Sequence, residues 1–159
     1  MKKTNAVRIL ERHKVKYELL ILSEKKEYGS AVDTAIQNGL NPAQIFKTLV
    51  TKGDKTGVVV AVVSGDKHLN FKKLSKVTGN KKMTMYPLKD LTDLTGYVRG
   101  GCSPLGMKKD FPVVLDETAS EFDEIYVNAG KRGTLMLLKG EELVRVCRAT
   151  VADIAENGD

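Results

Sequence analysis

"FKTLVTKGDKTGVVVAVVS", Phe46 to Ser64, is the stretch whose reading decides the fold. Two apolar runs flank the polar segment "GDKTG", with Gly53 and Gly57 at its ends. Short apolar runs around a glycine-bounded turn predict a β-hairpin. The second run, Val58 to Val63, is β-branched throughout except for Ala61. A strand with no polar alternation is covered on both faces, which places this one in the middle of a layered sheet.

Outward from the hairpin, strands and helices alternate. Towards the N-terminus, Thr4 or Asn5 caps a first helix that buries Ala6, Ile9 and Leu10. "YELLIL" (Tyr17 to Leu22) reads as a strand and "SAVDTAIQNG" as a helix ending at Gly39. "NPAQIF" reads as a helical turn with Pro42 at its first position. Towards the C-terminus, "NFKKLSKVTG" is an amphipathic helix, "KMTMY" a strand and "PLKDLTDLTG" a helix. The strands "FPVVLD", "EIYVNAG" and "TLMLLK" follow, the last two joined by "GKRG", and then the helix "GEELVRVCRA". No repeat, linker or low-complexity tract interrupts the series. The expectation is one α/β domain over residues 1–159, with a mixed, curved, barrel-like sheet flanked by helices.

The 159 residues are 42% hydrophobic and 29% charged, with a net charge of +6. That length supports a substantial core, and the positive excess favours an anionic partner such as nucleic acid. Cys102 and Cys147 form no CxxC pair, which suits a reducing compartment. The N-terminus has no apolar signal segment, and no apolar run approaches the ~20 residues of a membrane span. A cytoplasmic protein without a membrane partner is expected.

The residues that could carry chemistry are few. His13 and His68, the only histidines, read as solvated. No GxSxG elbow supplies an activated serine, and the histidines and cysteines lack the spacing of a zinc site, so neither metal nor cofactor is expected. The loop "YVRGGCSPLGMKK" (Tyr97 to Lys109) is more suggestive. Cys102 would need a depressed pKa to act as a nucleophile; otherwise it is a small inward-facing residue. Ser103, held extended by Pro104, either hydrogen-bonds a ligand or caps the turn. Gly100, Gly101 and Gly106 open backbone conformations closed to other residues and permit close approach of a ligand. Lys47, among apolar neighbours in "QIFKTLV", either faces solvent or reaches into a pocket towards a phosphate or ester oxygen. The basic clusters Lys72, Lys73 and Lys76, and Lys131 with Arg132, are solvated faces singly and a phosphate-tracking surface together.

"FKTLV", "GYVRGGCSPLGMKK" and "IYVNAGKRG", in that order, resemble the YbaK/EbsC family, bacterial deacylases of mischarged Cys-tRNA(Pro) related to the editing insertion domain of prolyl-tRNA synthetase. The resemblance runs from the first helix to about Ile154. It implies a trans-editing hydrolase acting on an amino acid esterified to the 3′ end of tRNA, with prolyl-tRNA synthetase as a transient partner. It assigns the essential lysine to Lys47 and the substrate-binding loop to Gly100, Gly101, Cys102, Ser103 and Pro104. "EYGS" would add Tyr28 and Gly29 to the pocket. It further implies that the thiol of the substrate, rather than Cys102, attacks the ester, while the protein positions it. Leu22 stands where some relatives carry a pocket tyrosine, and Ala129 replaces a glycine of the usual "GGKRG". Two alternatives stay open: a deacylase for another small aminoacyl group, such as Ala-tRNA(Pro), and a non-catalytic RNA-binding module.

Overall fold

The structure is a computed structural model, described here for residues 3–22 and 36–158. The predicted hairpin forms: β2 (Ile45–Gly53) and β3 (Gly57–Ser64) pair antiparallel from Phe46 opposite Ser64 to Gly53 opposite Gly57. The turn closes through Gly57 at φ +77°, the left-handed region that glycine enters without a steric penalty. Alternation along these strands divides the interior in two. Phe46, Val60 and Val62 face a core shared with α1 (Asn5–Arg12) and α4 (Gly140–Cys147), through Leu10 and Leu143. Val59, Ala61 and Val63 face a second core closed by Leu74 of α2 (Phe71–Thr78). This is why the valine run carries no polar alternation.

Around the hairpin the sheet order is β1 (Tyr17–Ile21), β8 (Thr134–Lys139), β7 (Glu124–Lys131), β2, β3, β6 (Val113–Asp116) and β9 (Thr150–Ala152). The pairs β7–β2, β3–β6 and β6–β9 are parallel; β1–β8, β7–β8 and β2–β3 are antiparallel. The sheet is therefore mixed, as the order of elements predicts. β5 (Met83–Met85) pairs with the far end of β2, at Thr51–Gly53.

Several elements depart from the sequence reading. "GDKHLN" is not only loop: Lys67–Leu69 form β4, which pairs with β10 (Ala155–Asn157) near the end of the chain. Three-residue strands are too short to show a periodicity, and their partners lie far away in sequence. "PLKDLTDLTG" divides into a 3₁₀ turn at Leu88–Asp90 and α3 (Leu91–Thr95). Most of the expected helix "SAVDTAIQNG" lies outside the described residues.

Asp116 fastens the last strands to the sheet. It is almost fully buried, and its carboxylate accepts from Ile154 N (2.9 Å), Thr118 N (3.1 Å) and Thr118 Oγ1 (2.6 Å). Removing a buried acceptor strands its donors at about 1–3 kcal/mol. Asp116→Ala is expected to lower stability by about 2 kcal/mol, read as a reduced urea midpoint with an unchanged slope.

Candidate active site

One edge of β2 pairs with β3 along its length, while the other edge is shared. β7 takes Ile45 and Phe46, and β5 takes Thr51–Gly53. Between them Lys47–Val50 pair with neither strand, although Tyr86 N reaches Val50 O at 3.0 Å. Just beyond the short β2–β7 pairing, β7 carries an irregularity between Asn128 and Lys131. The two strands part there.

Lys47 and Asn128 stand at this parting. Ile45 lies opposite Tyr126, and both pack in an apolar cluster with Leu22 and Leu135. Two residues further along each strand, Lys47 and Asn128 project to the same face. The Lys47 ammonium donates to the carbonyl of Lys67 at 2.7 Å. Burial pushes its pKa down, and the nearby Asp66 partly restores it. Asp66 is itself fixed by Ser64, whose hydroxyl donates to Oδ1 at 2.6 Å. An ammonium has three protons; among the described residues one is committed, which leaves two to offer an anion or a carbonyl.

Asn128 was not singled out by sequence reasoning. Its Nδ2 donates to Gly100 O at 3.1 Å, and its Oδ1 accepts from Gly130 N (2.6 Å) and Lys131 N (3.0 Å). It thus joins the glycine loop to the β7–β8 hairpin. Its place inside "YVNAGKRG" was the available signal, since an asparagine at a turn favours such local bonds to backbone N–H groups two and three residues on.

The loop is held from several sides. Arg132 Nε donates to Arg99 O at 2.8 Å, so this arginine supports the loop directly. Tyr97 is buried and its hydroxyl donates to Leu105 O at 2.6 Å; burial pushes its pKa up to about 12. Gly106 has φ +78°, and a Cβ there would lie 2.6 Å from the Tyr97 oxygen and 2.9 Å from Ala6 N. Gly100, at φ +83°, is exposed, whereas Gly101, Cys102, Ser103 and Pro104 are buried.

The burial separates side-chain roles from backbone roles. The Cys102 thiol points to Val98 O at 3.7 Å, and burial raises its pKa, the opposite of an activated thiolate. The Ser103 hydroxyl accepts from Leu105 N at 3.3 Å and is sealed from solvent. Of the expected loop residues, Gly100 alone is exposed. Tyr28 and Gly29 lie outside the described residues.

The basic residues also sort themselves. Lys72 and Lys76 are exposed on α2, but Lys73 is taken by Asp153 (3.0 Å) and Ala155 O (2.9 Å). Lys131 and Arg132 are exposed at the hairpin beside the loop. His13 and His68 are exposed, at the end of α1 and on β4. Among the described residues no three His, Cys, Asp or Glu side chains group as a metal site.

Residues 25–146 match the family described as the aminoacyl-tRNA editing domain. The chain belongs to that family. It is 48% identical over 152 residues to the Enterococcus faecalis protein named "Putative Cys-tRNA(Pro)/Cys-tRNA(Cys) deacylase EbsC", covering 96% of this chain and 93% of that one. A segment of 94 residues is 32% identical to a proline–tRNA ligase of Kosmotoga olearia, covering 59% of this chain and 16% of the ligase. A crystal structure described as "a putative trans-editing enzyme for prolyl tRNA synthetase" superposes with a TM-score of 0.83 at 27% identity, covering 99% of this chain and all of that one. The parted strands lie within the matched residues.

Asn128→Ala removes three hydrogen bonds at the junction of loop and hairpin. It is expected to cost about 1–3 kcal/mol of stability and to lower kcat/KM for an aminoacyl-tRNA at least tenfold. Urea unfolding and a deacylation assay on the same preparation check both.

Proposed function

We propose that this protein is a cytoplasmic trans-editing enzyme that hydrolyses Cys-tRNA(Pro). The observation that carries the proposal is a half-buried Lys47 on the strand face of Asn128, whose amide clamps the carbonyl of Gly100, beside a loop whose own thiol is turned away. Membership of the editing family and the relative named as a Cys-tRNA deacylase support the choice of substrate. Prolyl-tRNA synthetase is the natural partner in this reading, because it forms the mischarged product.

In this mechanism the cysteinyl thiol of the substrate supplies the nucleophile. It loses its proton and attacks its own ester carbonyl carbon. A carbon–sulfur bond forms, the carbon–oxygen bond to the ribose breaks, and the 3′ oxygen leaves with a proton. The amino acid departs as a four-membered thiolactone, which water opens to free cysteine. Proximity does most of the work: thiol and carbonyl are already in one molecule, and the site holds the conformer that brings them together. Lys47 places positive charge where the carbonyl or ribose oxygen becomes negative. A backbone carbonyl such as that of Gly100 suits the substrate's ammonium.

Lys47→Met tests the lysine without collapsing the pocket. A lysine whose pKa is lowered by folding binds fewer protons folded than unfolded as pH rises from the folded pKa towards the ordinary one, so stability increases across that window. Replacing Lys47 by an uncharged chain removes the penalty present below it. The variant is expected to stay within about 1 kcal/mol of wild-type stability while deacylation falls by roughly a hundredfold or more. Near-normal deacylation by the folded variant overturns the role.

The nucleophile is tested by substrate and by mutation. Ser-tRNA(Pro), with oxygen for sulfur, should be cleaved far more slowly, because a thiol with pKa near 8.5 is a few per cent ionised near neutrality and a hydroxyl is not. Cys102→Ala should retain most activity. A dead Cys102→Ala protein together with equal rates on the two substrates would mean that the protein carries its own nucleophile.

A further inference from the structure

A groove between α2 and β5 is lined by Phe71, Lys72, Lys76, Lys81 and Lys82 among others. All four lysines are exposed, and none forms an ion pair among the described residues. Lys73, between them in sequence, is excluded because Asp153 already neutralises it. The nearest carboxylate tied to this wall is Asp54, whose Oδ1 accepts from Lys81 N (2.9 Å) and Lys82 N (3.1 Å). It offsets one positive charge of four, and Lys55 follows it in the chain.

Two observations bear on this charge. Asp153 and Glu156 already sit at the start of α2, on Lys73 and on the N-cap Asn70, so Lys72 and Lys76 are the lysines of α2 left without a carboxylate partner among the described residues. The wall opposite the helix is also rigid. Asn80 is buried, accepts from Lys55 N (2.8 Å) and Thr56 N (3.0 Å), and donates to Thr56 Oγ1 (2.9 Å) and Thr78 Oγ1 (2.8 Å). It locks the end of α2 to the β2–β3 turn, immediately before Lys81 and Lys82.

The position matters as much as the charge. Leu74 of α2 covers Val59, Ala61 and Val63, and Val63 lies directly opposite Lys47. The groove therefore belongs to the sheet face onto which Lys47 projects. From Lys47 to Gly53 along β2 is about 20 Å, at a strand rise of ~3.3 Å per residue. Gly53 pairs with Met83, at the floor of the groove. A stacked nucleic-acid strand advances ~3.4 Å per nucleotide, so about six nucleotides span that distance.

We infer that the α2–β5 groove holds the sugar–phosphate backbone of the substrate's acceptor stem, with Lys72, Lys76, Lys81 and Lys82 as its phosphate contacts. The inference rests on the editing reading only for the identity of the RNA. With the aminoacylated 3′ end at Lys47, the strand passes beyond its unpaired end and reaches the groove at the first base pairs. Phosphate contacts of this kind give affinity without reading sequence. The Phe71 ring, 37% exposed at the rim, offers a surface for a ribose or a base.

The experiment uses the full chain and an uncharged RNA hairpin that reproduces an acceptor stem with its CCA end. The variant combines Lys72→Ala, Lys76→Ala, Lys81→Ala and Lys82→Ala; all four side chains are exposed, and a thermal melt establishes that it folds. The control is Arg8→Ala with Arg12→Ala, on α1, which packs on the other core. Binding is measured from 50 to 200 mM salt. The four-lysine variant should bind roughly ten- to a hundredfold more weakly at low salt, with the slope of log K against log salt shallower by about 2 to 4. The control should track wild type. In parallel, kcat/KM should fall on full-length aminoacyl-tRNA but not on a short aminoacylated 3′ fragment that never reaches the groove. Wild-type affinity and slope in the folded variant overturn the inference, as does an equal loss on both substrates. Wild-type protein that binds the hairpin but hydrolyses no aminoacyl-RNA would sink the editing reading and leave the groove standing.

Discussion

The structure depends on a division of labour along one strand edge. A β-strand has two edges, and β2 gives one wholly to β3. The other is claimed by β7 at its start and by β5 at its end. Backbone groups of a buried strand need partners, so strands that part must have something else nearby. Here Tyr86 N reaches Val50 O, and the loop from Tyr97 to Gly106 stands beside β7, locked by the Asn128 amide, the Arg132 guanidinium and the Tyr97 hydroxyl. The opening in the sheet is consequently a rigid site.

The second sheet serves the same residue from the other side. β4 contributes the Lys67 carbonyl that receives the Lys47 ammonium, and β10 pairs with β4. Asn70 donates to Glu156, Lys67 to Asn157 and Lys73 to Asp153. Exposed pairs of this kind contribute little singly. Together with the strand pairing they connect Lys47 to the strand β10. Three residues of β4 carry little sequence signal, yet they decide where a charge at the centre of the site can rest.

What the sequence made legible follows from what is local. The hairpin at Phe46–Ser64, the cap of α1 and the turn at Pro42 are short-range events, and each appears where its residues predict. β4, β9 and β10 are short strands defined by distant partners, so nothing within them announces a strand. The loop was legible as a stretch of unusual backbone freedom, with an inward-facing Cys102 and a turn-capping Ser103 among its alternatives, but the choice between them was not, because the place of Cys102 comes from packing against Val50, Leu91 and Tyr97. Asn128 was hidden for a similar reason: its meaning lies in the carbonyl of Gly100, across a gap that no spacing rule describes. The α2 lysines looked alike in sequence, and only the position of Asp153 separates Lys73 from Lys72 and Lys76.

The buried thiols carry a chemical consequence for the proposed reaction. The thiolactone of the proposed reaction is an acylating agent, and Cys102 lies in the loop beside the proposed site. Burial raises the pKa of Cys102, and it pushes that of Cys147, which donates to Pro104 O at 3.7 Å, up to about 12. A protonated thiol is a poor nucleophile. If the proposed reaction runs, thiols held protonated in this way would compete poorly with water for the strained ring.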